Sequence, residues 1–116
     1  MLRIPWRDTL VGDPTRPAVH GGVLSALIDT AGGAACWSTF DNLRDRVSTV
    51  DLRVDYLRPS ANEDLWCEGK VVRVGNRVAV CRMEAYPGGL PEEGGDERLP
   101  LATGQAVYNV VRRAEK

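Results

Sequence analysis

Pro17-Ala-Val-His20-Gly21-Gly22-Val-Leu-Ser-Ala-Leu-Ile-Asp29-Thr-Ala-Gly-Gly-Ala-Ala-Cys36-Trp-Ser-Thr-Phe40 is the one stretch of the chain that reads as a long helix, and it holds the only histidine. Apolar side chains at Val23, Leu24, Leu27, Ile28, Ala31, Ala34 and Ala35 recur at helical spacing and predict a continuous stripe on one face. The other face is expected to carry Ser25, Asp29, Gly32, Gly33 and Cys36. Asp is a poor helix former, and each interior Gly costs about 1 kcal/mol relative to Ala. A helix that keeps three such residues is expected to use them. Small residues let a second backbone come close, and the carboxylate among them faces whatever approaches.

Outward from this helix the period changes. Before it, Leu2 to Trp6 reads as a short edge strand, since Pro5 lacks an amide donor. Residues 12–19 form a turn-rich lead-in. After it, 41–45 is a polar connector. From Val50 to Tyr56 apolar residues fall at every second position, the mark of a strand with one buried face, and Pro59 stops it. A second strand fits Leu65 to Val74. Gly75-Asn76 is the strongest tight-turn signal and joins it as a hairpin to a third strand, Arg77 to Tyr86. Residues 87–98 are a polar loop, Leu99 to Val111 is a last strand, and 112–116 a frayed tail. Strands following a helix in a block indicate α+β: an antiparallel β-sheet wrapped around one long central helix, in a single domain covering 1–116.

Composition narrows the function. The net charge of −1, with acids and bases interleaved, gives neither an electrostatic footprint for nucleic acid nor a polybasic membrane patch. No apolar run approaches the ~18 residues of a membrane span, and Met1-Leu-Arg-Ile-Pro-Trp6 lacks the apolar core of a signal peptide. Cys36, Cys67 and Cys81 are odd in number, far apart and without metal-ligand spacing, the pattern of reduced thiols in a cytoplasmic protein. Neither a nucleophile elbow, a phosphate-binding loop nor a dinucleotide glycine fingerprint is present.

What remains is His20-Gly21-Gly22 at a helix start and Asp29 within the same helix. The first amides of a helix lack internal acceptors and its N-terminus is partly positive, so glycines there can offer N–H groups to a carbonyl or an oxyanion. An ordinary tight turn explains the glycines equally well. At 1.5 Å per residue, Asp29 lies about 12 Å along the axis from Gly21. A carboxylate that attacks a carbonyl, or activates water against it, must come within about 3–3.5 Å of the reacting atom. Asp29 therefore cannot serve a carbonyl held by its own helix start. A catalytic site built from these two groups must be shared between two copies of the helix, running antiparallel. Without catalysis, Asp29 would be a surface cap or ion pair.

The run His20 to Ala35, with Ser48-Thr49-Val-Asp-Leu-Arg-Val-Asp-Tyr-Leu-Arg58-Pro59, resembles the hotdog-fold acyl-CoA thioesterases of the phenylacetate-degradation type. Gly69 to Val80 and the closing Leu101-Ala-Thr-Gly-Gln-Ala-Val-Tyr108 are similar to the same family, so the likeness covers roughly 11–111. The resemblance implies a sheet wrapped round the helix, and homo-oligomers that are dimers with a continuous sheet or dimers of dimers. It implies that Asp29 is the catalytic carboxylate, as general base or nucleophile. Gly21, with Gly22 beside it, would be the oxyanion donor, Thr49 the hydroxyl that helps hold the attacking water, and His20 a wall of the thioester pocket. Gly75, Asn76 and Arg77 fall where the family contacts the coenzyme A arm, and Arg58 adds charge. Coenzyme A enters as part of the substrate; no cofactor or metal is implied. Many relatives carry an Asn six residues before the His, where this chain has Pro14 with Asp13 beside it.

The expected function is hydrolysis of an acyl-CoA thioester to free acid and CoA. The alternatives are a non-catalytic hotdog module that binds acyl-CoA or another apolar ligand, and a hydratase that would use His20 as its base.

Overall fold

Among the described residues, alternating inward-pointing side chains build five strands and helical spacing builds one helix, in the order β1 (Leu2–Ile4), α1 (Gly21–Trp37), β2 (Arg46–Tyr56), β3 (Leu65–Val74), β4 (Val78–Pro87) and β5 (Ala102–Val111). The computed structural model describes residues 1–5, 7, 20–42, 44–59, 63–88 and 99–112. Trp6, the whole 12–19 lead-in with Asp13 and Pro14, most of the 87–98 loop and residues 113–116 lie outside the described residues. The strands form one antiparallel sheet in the order β1-β3-β4-β5-β2. It curls around α1 in the expected hotdog arrangement, with β2 at one edge.

Leu24, Leu27, Ile28, Ala31, Gly32 and Cys36 form the buried face of α1. They pack on Cys67 of β3, Ala79, Cys81 and Met83 of β4, and Ala106 and Tyr108 of β5. This corrects the expected faces of the helix: Gly32 and Cys36 point into the core, and Ala34 is exposed. Each Leu or Ile so enclosed contributes about 1.5–3 kcal/mol. Gly69 on β3 is a point of close approach between the sheet and the helix backbone. A Cβ there would lie 2.6 Å from the Ala31 carbonyl oxygen, so the strand can seat the helix only without a side chain at this position.

β2 begins at Arg46, four residues before its apolar alternation starts. A bulge between Thr49 and Asp51 shifts the register and turns Val50 outward, 65% exposed. The alternation over 50–56 thus follows one buried face only for Leu52 and Val54, both partly buried against the core. The β3–β4 hairpin turns through Gly75-Asn76-Arg77, closed by the Gly75 N–H on the Val78 carbonyl at 2.8 Å.

Arg112, the first residue of the expected frayed tail and its one described member, is anchored. Its guanidinium donates to the buried Asp45 at 3.0 Å and to the Gly75 carbonyl at 3.2 Å, and lies 4.7 Å from the Phe40 ring centre. The Trp37 indole N–H reaches the Asp45 carbonyl at 3.2 Å. The C-terminal end of α1, the start of β2, the end of β5 and the β3–β4 turn are thereby gathered at one end of the molecule.

Candidate active site

His20 is the N-cap of α1. Its carbonyl accepts from Val23 N–H at 3.0 Å, and its Nδ1 accepts from Gly22 N–H at 2.9 Å. A ring nitrogen that accepts is unprotonated, so the neutral ring carries its hydrogen on Nε2. Gly22 therefore spends its amide on the cap and does not offer it to a ligand in this arrangement. Gly21 N–H has no acceptor among the described residues. As the first amide of a helix it is one of the orphan donors at the positive end of the helix dipole.

Tyr56, 53% exposed at the end of β2, leans over this helix start. Its hydroxyl donates to the Gly21 carbonyl at 2.9 Å and is hydrogen-bonded to Ser25 Oγ. An ideal Cβ on Gly21 would lie 3.3 Å from the Tyr56 ring. Arg58 comes from the same end, but its guanidinium is bound to the Leu99 carbonyl.

Asp29 sits two turns further along α1, half-buried beside β2 and β5. Thr49 Oγ1 donates to Asp29 Oδ1 at 2.8 Å, so the hydroxyl holds the carboxylate directly. The bulge next to Thr49 is the local cause, because it changes which residues of β2 face the helix. Tyr108 donates to the Asp29 carbonyl at 2.8 Å and lies 3.3 Å from Oδ1. Burial, reinforced by the Asp29 charge, pushes the Tyr108 phenol above its ordinary value of 10.0, so it stays a donor at neutral pH. The partners of the Asp29 carboxylate among the described residues are hydroxyls, with no cation to neutralise it.

Along one chain the expected site residues separate into groups. His20, Gly21, Gly22 and Arg58 lie at the N-terminal end of α1, Asp29 and Thr49 lie midway, and Gly75-Asn76-Arg77 lies at the C-terminal end, tied there by Arg112. Tyr108 was not singled out by its sequence, where it reads as one more inward residue of an alternating strand. The signal present was a hydroxyl-bearing aromatic in an otherwise small and aliphatic row, Ala102, Gly104, Ala106, Val110. The described residues contain no group of three or more His, Cys, Asp or Glu side chains placed to hold a metal ion.

One helix cradled by a curled antiparallel sheet is the hotdog fold, and here it carries a carboxylate at mid-helix and, among the described residues, an orphan amide at the helix start. The profile of the Thioesterase superfamily matches residues 17–92. The medium/long-chain acyl-CoA thioesterase YigI of Escherichia coli K12 is 37% identical over 113 residues, covering 87% of this chain and 68% of YigI. A Shewanella oneidensis protein related to the thioesterase superfamily superposes with a TM-score of 0.75 at 30% identity, over 94% of this chain and 74% of the other. A Bacillus halodurans protein crystallised with CoA shares the fold, with a TM-score of 0.79 at 23% identity, over 97% of this chain and 68% of the other. The chain belongs to the thioesterase superfamily, and it is a thioester hydrolase. No helix among the described residues is long and apolar enough to cross a membrane.

Proposed function

We propose that the protein hydrolyses acyl-CoA thioesters to free acid and CoA, at a site completed only when two copies of the chain associate. The observation that carries this reading is the placement of Gly21 and Asp29 on one rigid helix. Eight residues separate them, about 12 Å, and a single thioester carbonyl cannot touch both. A second helix running antiparallel brings its partner's amide to the level of Asp29 and resolves the distance.

The strand order supports the same pairing. β2 is an edge strand, and a copy of β2 laid against it continues the sheet and sets two helices side by side. The separation of the groups along the chain then becomes useful. The end bearing Gly75-Asn76-Arg77 meets the other copy's helix start, so the exposed Arg77 can attract CoA phosphates while Gly21 N–H polarises the carbonyl. Asp29, held by Thr49, acts as general base on water or as nucleophile, and His20 shapes the pocket mouth while capping the helix. Arg58 would add charge only after leaving Leu99. CoA is part of the substrate, and the reaction calls for no further cofactor or metal. A dimer is the smallest competent unit, and a dimer of dimers keeps the same sites. Three buried free thiols suit a reducing cytoplasm.

Replacing Asp29 with Asn keeps shape and hydrogen bonding but removes the base. Turnover of acyl-CoAs from short to long and aromatic should fall by about 10²–10⁴-fold in a folded oligomer. Full turnover in that variant would remove Asp29 from the mechanism. Saturable acyl-CoA binding without hydrolysis by the wild type would instead mark a binding module.

A further inference from the structure

Tyr108 is 1% exposed, yet its hydroxyl reaches across the core to the middle of α1. A sheet residue can touch a helix carbonyl at mid-length only where the helix presents no side chain in between. Gly32, three residues after Asp29, supplies that gap. A Cβ at 32 would overlap the Tyr108 hydroxyl and lie 2.7 Å from Met83 Sδ. The glycine costs the helix about 1 kcal/mol relative to Ala, and the passage of the phenol accounts for it.

The phenol has one proton and two acceptors on the same residue, the Asp29 carbonyl at 2.8 Å and Oδ1 at 3.3 Å. Thr49 donates to that same Oδ1 at 2.8 Å. Oδ2 has no partner among the described residues. The two donors arrive from different strands, β5 and β2, so the carboxylate is pinned between them and cannot exchange its oxygens by rotation without losing both bonds.

We propose that Tyr108, admitted through the gap at Gly32, is a positioning residue for Asp29: with Thr49 it holds Oδ1 and leaves Oδ2 as the oxygen presented to water or thioester. The inference rests on the reading of Asp29 as the catalytic carboxylate and adds to it which oxygen works and what holds the other.

Tyr108→Phe removes the hydroxyl and keeps the ring. Its kcat on an acyl-CoA that the wild type turns over should fall about tenfold while KM changes less than about twofold, because orientation is lost and binding is not. Gly32→Ala keeps the hydroxyl but displaces it, and should lower kcat in the same direction; it carries the test should Tyr108→Phe fail to fold. Asp29→Asn is assayed alongside. If Asp29→Asn is inactive and either folded variant retains wild-type kcat, or loses efficiency through KM alone, the positioning role is overturned and the Asp29 reading survives. If Asp29→Asn is fully active, both fall together.

Discussion

His20 shows how one residue can look catalytic and be doing structural work. A lone histidine before two glycines at a helix start invites a role as base, yet its Nδ1 is occupied by the Gly22 amide. Its replacement by Ala should therefore destabilise the protein by about 1 kcal/mol, as loss of an N-cap acceptor does, and His20→Asn should restore most of that. Urea midpoints of the three proteins check this. Loss of all turnover in a His20→Ala variant of unchanged stability would instead make the histidine a chemical participant. The cap was legible only in part: His, Gly and Gly announced a helix start, but the ring's return to its own backbone depends on a rotamer that no spacing rule supplies. Tyr108 was hidden more completely, since alternation assigns an inward residue to the core without saying what its polar atom meets there.

At the scale of elements, the fold was readable because its two periods do not mix. One 3.6-residue stripe and several two-residue alternations leave little choice but a helix against an antiparallel sheet, and the Gly75-Asn76 turn fell where the β3–β4 hairpin closes. Structure departs from the sequence pattern where close approach or a bulge overrides the period. Small size suggests a solvent-side face for Gly32 and Cys36, whereas the core takes Gly32 because Tyr108 and Met83 need the room, and Cys36 lies buried in the core cluster with Cys81. β2 starts ahead of its apolar alternation because the bulge beside Thr49 interrupts the two-residue period. Gly69 is the companion case on the strand side. Gly69→Ala should lose about 1–3 kcal/mol, because the added methyl meets backbone at Ala31 and not a side chain that can rotate away. Denaturant unfolding measures it, and an unchanged midpoint would show that helix and strand can separate at little cost.

For the molecule as a whole, pH reports on the core. Burial pushes the Cys67 thiol up to about 12, and burial together with its neighbour Cys36 pushes Cys81 up to about 11, from an ordinary 9.0. Above pH 9 the unfolded chain releases these protons while the native state keeps them. The native state then binds more protons, so stability falls as pH rises, by about 1.4 kcal/mol per thiol for each pH unit until the folded values are reached. Urea midpoints at pH 7, 9 and 10 should decline in that order, with a shallower decline in Cys67→Ala. A profile flat across this range would mean that the thiols meet water.

The proposed shared site has a test that no single subunit can pass. The orphan amide can be removed alone by Gly21→Pro: proline suits the first position of a helix, and His20, with ψ of 136°, already has the extended backbone that precedes proline. The new ring would press on the edge of the Tyr56 ring, a half-exposed side chain with solvent on its far side. Gly21→Pro and Asp29→Asn should each be nearly inactive when pure. In a mixed dimer of the two, one site carries both lesions and the other carries none. Equal amounts unfolded together and refolded should therefore recover about one quarter of wild-type turnover, since half of the pairs are mixed and each offers one intact site of two. If each site instead belonged to a single chain, every site in the mixture would keep one lesion and activity would not return.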